Sequence, residues 1–254
     1  MCLILLAWKA HPAYPLVIAA NRDEFHARPA AAAAFWEDRP EILAGRDLEC
    51  MGTWLGVTRT GKFAAVSNFR EGVPRDPAAR SRGLLASAFL ANGASAREFA
   101  AKVAQDGAEY SGFNFLASDR DELWWVSNRD AGARRLAPGI YGVSNHLLDT
   151  PWAKVVRGKR RLEAALGPAP AIDGLLALLA DTTVAPDDEL PDTGVGLERE
   201  RLLSPLRVVS EPYGTRCSSA LIFGPGRRVR FAERSYGAQG EERDTLRYEF
   251  PLAG

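Results

Sequence analysis

The strand-forming segments of this chain come mostly as hairpin pairs, and the helices are grouped between them. Apolar segments joined by short turns predict hairpins at residues 2–9 with 14–20, 53–58 with 62–68, and 113–117 with 122–127. Single strands are predicted at 139–145, 218–223, 228–233 and 246–250. Helical spacing predicts helices at 81–91, from Ser95 onward with Glu98 completing a capping box, and at 151–166 and 175–181. Strands and helices do not alternate singly, so we expect a layered α+β fold with helices packed outside antiparallel sheets.

Three stretches give weaker or different signals. Residues 30–34 are alanines between prolines, which suit either a helical turn or an extended arm. Residues 182–216 are rich in Pro, Asp and Gly and predict a long ordered loop region. The helix at 151–166 carries a basic cluster, for which a solvent-exposed face is the expectation and an anion site the alternative; its members are Lys154, Arg157, Lys159, Arg160 and Arg161.

Charge and cysteine content exclude several classes of function. The 32 Lys and Arg residues balance the 32 Asp and Glu residues, so the chain lacks the basic footprint of a nucleic-acid-binding protein. Three cysteines far apart in sequence form neither a disulfide framework nor a zinc site, and no metal site is predicted. No signal peptide and no apolar run of about 20 residues is visible, so we expect a cytoplasmic protein without a transmembrane segment.

The second residue, Cys2, is the first candidate for chemistry. A small residue at this position favours removal of Met1, which would give Cys2 a free α-amino group with an ordinary pKa of about 7.7–8.0. One residue would then supply both a thiol nucleophile and a general base. The alternative is that Cys2 is simply the second residue of a buried strand.

Further polar residues follow the predicted strands. The quartet 21–24 ends the second strand, where a hairpin would return it close to Cys2; it is either a set of groups that tune the thiol or a surface ion-pair cluster. Asn68, Asn114 and Asn145 each follow or begin a strand and can donate to an oxyanion, or act as turn residues. Arg216 can bind a substrate carboxylate or pack a loop.

An ordered set of short motifs runs along the whole chain. It comprises Met1-Cys2, Asn21-Arg22-Asp23-Glu24, Phe35-Trp36, Ala44-Gly45-Arg46-Asp47, Gly52-Thr53-Trp54-Leu55-Gly56, Ser67-Asn68-Phe69-Arg70, Ser81-Arg82-Gly83, Phe113-Asn114, Ser144-Asn145, Pro151-Trp152-Ala153-Lys154-Val155, Pro191-Asp192-Thr193-Gly194 and Tyr213-Gly214-Thr215-Arg216. In these motifs the chain resembles the transport and Golgi organisation family, also called NRDE proteins. It departs from the family at Met51, where a glycine is usual before Gly52.

The resemblance implies a single domain over residues 1–254 with an N-terminal-nucleophile hydrolase-like fold, a four-layer αββα sandwich of two antiparallel sheets. By analogy with bile-salt and penicillin V acylases, Cys2 would be the nucleophile, Arg22 and Asp23 would tune it, and Asn145 would be the oxyanion donor. We place Asn21, Asn68, Asn114 and Arg216 in the same pocket as substrate-binding residues. The adjacent spacing of Arg22 and Asp23 does not reproduce the acylase pattern.

Two functions follow from this interpretation. The first is an N-terminal cysteine amidohydrolase or acylase acting on a small non-peptide amide, without a cofactor. The alternative, which the family also implies, is a haem-binding or haem-trafficking protein on a non-catalytic hydrolase-like fold. His11, His26 and His146 are present, but no motif marks any residue as an axial haem ligand.

Overall fold

A computed structural model describes residues 2–71 and 79–253 of the chain. In this part of the chain the strands are β1 (Cys2–His11), β2 (Tyr14–Phe25), β3 (Ala30–Trp36), β4 (Arg39–Asp47), β5 (Leu55–Thr58), β6 (Phe63–Asn68), β7 (Phe113–Ser118), β8 (Leu123–Ser127), β9 (Ala133–Arg135), β10 (Gly139–Val143), β11 (Tyr213–Gly224), β12 (Arg228–Tyr236) and β13 (Glu242–Pro251). The helices are α1 (Gly83–Ala91), α2 (Ala96–Asp106), α3 (Ala153–Leu166), α4 (Ile172–Leu179) and α5 (Leu197–Leu203).

The strands form two antiparallel sheets. The first sheet has the order β10-β1-β2-β11-β12-β13, and the second has the order β3-β4-β5-β6-β7-β8-β9. Five strands of the first sheet come from the two ends of the chain, and β2 and β11 lie at its centre with β1 beside β2. All three predicted hairpins are present.

Three apolar clusters hold four layers together. The inter-sheet cluster includes Ile4, Leu6 and Phe231. A second cluster joins the second sheet to α1 and α2, and a third joins the first sheet to α3 and α4. Along β1 the even positions Ile4 and Leu6 face the other sheet, whereas Leu3 and Leu5 face the helices, as the two-residue period of a strand requires. The layered α+β prediction is therefore confirmed, with helices on both outer faces.

Some local predictions were incomplete. Residues 30–34, for which a helical turn and an extended arm were equally expected, lie in strand β3, and its partner β4 was not predicted. The predicted loop region 182–216 contains the short helix α5 and the start of β11. The capping box at the start of α2 is present, with Ser95 and Glu98 each accepting the other's backbone amide.

The start of α1 is fixed by a close contact between two glycines. A Cβ on Gly52 would lie 2.5 Å from the Gly83 carbonyl carbon, so only glycine allows the approach. The Thr53 amide donates to the Gly83 carbonyl at 3.1 Å across the same contact. This contact brings α1 and the neighbouring Trp54 to the end of the sandwich at which β1 begins.

Candidate active site

The beginning of β1 borders a cleft of about 320 Å³ between the two sheets. Its walls include Cys2, Arg22, Trp54, Asn68 and Arg216. The cleft thus collects residues from motifs that are distant in the sequence.

Strand register places the Cys2 thiol beside an arginine. Cys2 lies opposite Arg22 of β2, and Arg22 lies opposite Cys217 of β11. Residues directly opposite in an antiparallel pair point to the same face, so these three side chains share the face that carries Ile4 and Leu6. Cys2 is 7% exposed, so its thiol is buried at the base of the cleft.

Burial dominates the chemistry of the Cys2 thiol. Desolvation raises its pKa above the ordinary value, while Arg22 and a hydrogen bond from the Asp23 backbone amide act in the opposite direction. Desolvation also raises the pKa of Cys217, and the nearby Glu233 carboxyl adds to the effect. Cys2 is therefore a protonated thiol at neutral pH, and it needs a base to become a nucleophile.

Asp23 lies below the thiol on the helix side of the first sheet. Its Oδ1 accepts a 2.6 Å hydrogen bond from Thr215 Oγ1, and the side chain is buried. Burial raises the pKa of Asp23, and the charge of Lys154 and the bond from Thr215 lower it. The carboxylate is thus held by a hydroxyl and a nearby cation on the face opposite to Arg22.

The two predicted cleft arginines are both present, with different partners. Arg22 Nη2 lies 3.8 Å from Asp47 Oδ2 and 4.0 Å from Glu24 Oε2, which are loose ion pairs. Arg216 Nη1 donates to the backbone carbonyls of Phe25 and Arg28 at 3.0 and 2.7 Å. Burial and the charge of Arg22 lower the pKa of Arg216. Both guanidinium groups border the cleft near Cys2.

Of the four predicted asparagines, the structure places only Asn68 in the cleft. Asn145 has a φ of 60°, and its Nδ2 donates to the Asn68 carbonyl at 3.0 Å. Asn114 Nδ2 donates to the His146 carbonyl at 2.9 Å, and its Oδ1 accepts from Trp125. These two amides hold backbone and core groups, and neither residue is among those that line the cleft.

Asn21 was also expected in the pocket and instead faces the helices. Its Nδ2 donates to the carbonyls of Leu179 and Leu206 at 3.0 and 2.7 Å, and its Oδ1 accepts from Ser218. Asn21 is fully buried, and it ties the end of α4 and the segment before β11 to the first sheet. Its role is to hold the layers together beneath the cleft.

Lys154 was expected on a solvent-exposed face and is 2% exposed. It begins a row with a spacing of four residues that continues through Gly158, Leu162 and Leu166, all buried. Burial lowers the pKa of Lys154 to about 8, and the charges of Asp23 and Cys2 act in the opposite direction. The four-residue spacing that places Lys154 in line with Leu162 and Leu166 was the sequence signal that could have predicted its burial.

None of the described residues that line the cleft is a histidine. His146, for example, bonds through Nδ1 with Thr150 Oγ1 at 2.8 Å and packs against Phe69. Over residues 2–71 and 79–253, no group of three His, Cys, Asp or Glu side chains is arranged to hold a metal ion. No helix in the described ranges is both long enough and apolar enough to cross a membrane.

An ion pair and its neighbours attach the region 182–216 to the end of β6. Arg70 Nη1 pairs with Glu200 Oε2 of α5 at 2.6 Å, and Glu200 Oε1 accepts from the Thr193 amide and hydroxyl. The Arg70 guanidinium lies over the Trp152 ring, next to the start of α3. Arg70 and Glu200 are both nearly buried, so this ion pair fastens α5 to the end of β6.

Comparison with known proteins gives one family along most of the chain. The family model described as Transport and Golgi organisation 2 matches residues 1–238. The Transport and Golgi organization 2 homolog of Mus musculus is 36% identical over 276 residues, which covers 99% of each chain.

Among solved structures, the N-acylethanolamine-hydrolyzing acid amidase ortholog of Caenorhabditis elegans is similar with a TM-score of 0.49 and 11% identity, covering 87% of this chain and 92% of that one. The C2A mutant of the conjugated bile acid hydrolase from Clostridium perfringens has a TM-score of 0.47 and 12% identity, covering 99% and 98%. Likenesses at this level assign no activity.

Proposed function

The chain belongs to the Transport and Golgi organisation 2 family, and we propose that it is an N-terminal cysteine hydrolase acting on a small non-peptide amide. One observation carries the proposal. The Cys2 thiol lies in register with Arg22 on the wall of a cleft large enough for a small molecule, and a buried carboxylate, Asp23, lies on the other face of the same strand.

The proposed base is the α-amino group that Cys2 gains when Met1 is removed. The buried thiol has a raised pKa, so at neutral pH it is not already a thiolate and its proton must be transferred as it attacks. The neutral α-amino group accepts that proton, and the sulfur forms a bond to the amide carbonyl carbon. Asp23 is close enough to act on the charge at Cys2 and favours the resulting ammonium.

The negative charge of the tetrahedral intermediate falls on the former carbonyl oxygen. Asn68 is the predicted asparagine that lines the cleft, and we assign to it the oxyanion role that the sequence suggested for Asn145. The ammonium then returns its proton to the amide nitrogen, the C–N bond breaks, and the amine leaves. Water attacks the thioester, the C–S bond breaks, and a carboxylic acid is released with the thiol restored.

The experiment compares the three thiols in protein whose N-terminus has been read by intact mass spectrometry. We expect loss of Met1 and iodoacetamide labelling of Cys2 well ahead of Cys50 and Cys217, because the α-amino group of Cys2 accepts the thiol proton as the sulfur attacks. Cys50 is the most exposed of the three thiols, so exposure alone would give the opposite order. The Cys2→Ala variant should lose amide hydrolysis and keep the fold, and Cys50→Ala is the matched control.

Retention of Met1 in most molecules, or Cys2 labelling no faster than Cys50, would contradict the proposed hydrolase. If slow labelling were joined by a haem Soret shift that survives Cys2→Ala, a haem carrier would replace it.

A further inference from the structure

Helix α3 buries a lysine directly beneath the start of β1. Lys154 is 2% exposed, and in the described part of the chain its Nζ has no hydrogen-bond partner. The helix packs against β1 and β10, and Gly158 on the row of Lys154 contacts Leu5 of β1. A buried ammonium without a hydrogen-bond partner is costly, so a nearby opposite charge is needed to keep it protonated.

Charged groups face Lys154 from several elements. Asp23 of β2 attracts it most strongly, and the Cys2 thiolate, when formed, does so from β1; Arg70 and Arg157 repel it. Glu200 of α5 and Glu189 border the same small cavity beside Lys154. Glu200 is paired with Arg70, and among these carboxylates Asp23 is the one whose charge acts most strongly on Lys154.

We propose that Lys154 is a positioning residue that, through Asp23, keeps the Cys2 α-amino group in the neutral form that accepts the thiol proton. This inference rests on the proposed function, since it concerns the base of that reaction. It assigns a role to the lysine of the motif Pro151-Trp152-Ala153-Lys154-Val155.

Asp23 is a buried carboxylate that attracts Lys154 and, in the proposed mechanism, the Cys2 α-amino group. When Lys154 carries a positive charge, Asp23 is already compensated, and a second cation at the Cys2 α-amino group gains less from it. Removing the lysine charge strengthens the attraction between Asp23 and the Cys2 ammonium, which raises the pKa of the α-amino group. Because the pKa of Lys154 is about 8, most of the side chain is still charged at pH 7, where the reaction needs the neutral amine.

The test uses the full chain with Met1 loss verified by intact mass, and it measures the rate of Cys2 alkylation by iodoacetamide from pH 5.5 to 9. Lys154→Met and Lys154→Gln both place a neutral side chain at this position. In both variants we expect the pH at which the alkylation rate increases to be higher by about one unit or more, so labelling at pH 7 should be about tenfold slower. Lys154→Arg should keep the wild-type profile. Lys159→Met on the same helix is the matched control.

A second readout isolates the amine. In a Cys2→Ser background the α-amino group titrates without the thiol, and its pKa is read from the pH dependence of carbamylation by cyanate. We expect that pKa to rise when Lys154→Met is added.

An unchanged profile in both neutral variants, or an equal shift in Lys154→Arg, would overturn the role of Lys154 while leaving the proposed hydrolase intact. Retention of Met1, or a Cys2 that is unreactive in every variant, would overturn both the proposed hydrolase and the role of Lys154. Intact mass identifies the first outcome, and labelling of the wild type alone identifies the second.

Discussion

Replacing Lys154 by methionine should change how the stability of the protein depends on pH. In the folded protein the pKa of Lys154 is lowered from 10.5 to about 8 by burial, whereas in the unfolded chain it returns to its ordinary value. Between these two values the unfolded chain holds a proton that the folded chain has lost, so the free energy of unfolding rises with pH. A difference of 2.5 pKa units corresponds to about 3 kcal/mol.

Urea unfolding of the wild type and Lys154→Met at pH 7, 8, 9 and 10 measures this directly. The free energy of unfolding of the wild type minus that of the variant should be constant below about pH 8. Above that pH it should rise by up to about 1.4 kcal/mol per pH unit, because the folded and unfolded wild type differ by one bound proton. The Cys217 thiol titrates in both proteins and largely cancels in the difference, whereas the proposed rise of the Cys2 α-amino pKa in Lys154→Met adds to the difference in the same direction. Lys159→Met, which removes a partly exposed lysine of the same helix, should run parallel to the wild type. If the free energy of unfolding of Lys154→Met also ran parallel to that of the wild type across this pH range, Lys154 would not be desolvated in the folded protein, and the argument would be refuted.

Three further predictions concern stability and are measured by the urea midpoint. Met51 has a φ of 57°, so Met51→Gly should stabilise the fold by about 1 kcal/mol, whereas Met51→Ala should not. Glu200→Gln should cost about 3–5 kcal/mol, because it removes one partner of a buried ion pair; Arg201→Met, which breaks the exposed pair with Asp187, should cost less than about 1 kcal/mol, and equal effects would contradict the burial argument. Asn21→Ala should cost about 3 kcal/mol, since two buried carbonyls lose their donor, and a loss below about 1 kcal/mol would mean that water replaces the amide.

The order of hairpins and helices was readable because each has a local signal. The capping box of α2 and the short turns of the three hairpins lie within a few residues of one another. Strands β3 and β4 lack such a signal, since β3 is mostly alanine and Pro40 lies in β4. They form strands because β4 pairs with β5 of the second sheet and β3 pairs with β4. This long-range pairing cannot be predicted from the residues of β3 and β4 alone.

The candidate site was readable in part for a similar reason. The hairpin of β1 and β2 brings Cys2 to Arg22, and this follows from two strands of similar length. Arg216 and Asn68 enter the cleft from β11 and β6, whose positions depend on the whole sheet order. For Asn114 and Asn145 the sequence does not separate two roles, because an asparagine after a strand looks the same whether it faces a cleft or holds a backbone carbonyl.

The stretch Asn21–Glu24 shows how one strand can serve two faces. Because β2 is paired on both sides, by β1 and β11, its side chains must alternate. Asn21 and Asp23 therefore face the helices, where Asn21 holds the layers and Asp23 meets Thr215, while Arg22 shares the cleft face with Cys2. Cys2, the first residue of β1, is within reach of both faces of the sheet. Its side chain points into the cleft, and an amino group on its backbone would be exposed to Asp23 on the opposite face. In the proposed mechanism Arg22 thus acts on the Cys2 thiol from the cleft side of the sheet, and Asp23 acts on the α-amino group from the helix side. Two consecutive residues reach both sides because strand side chains alternate, and a loop would not enforce this alternation.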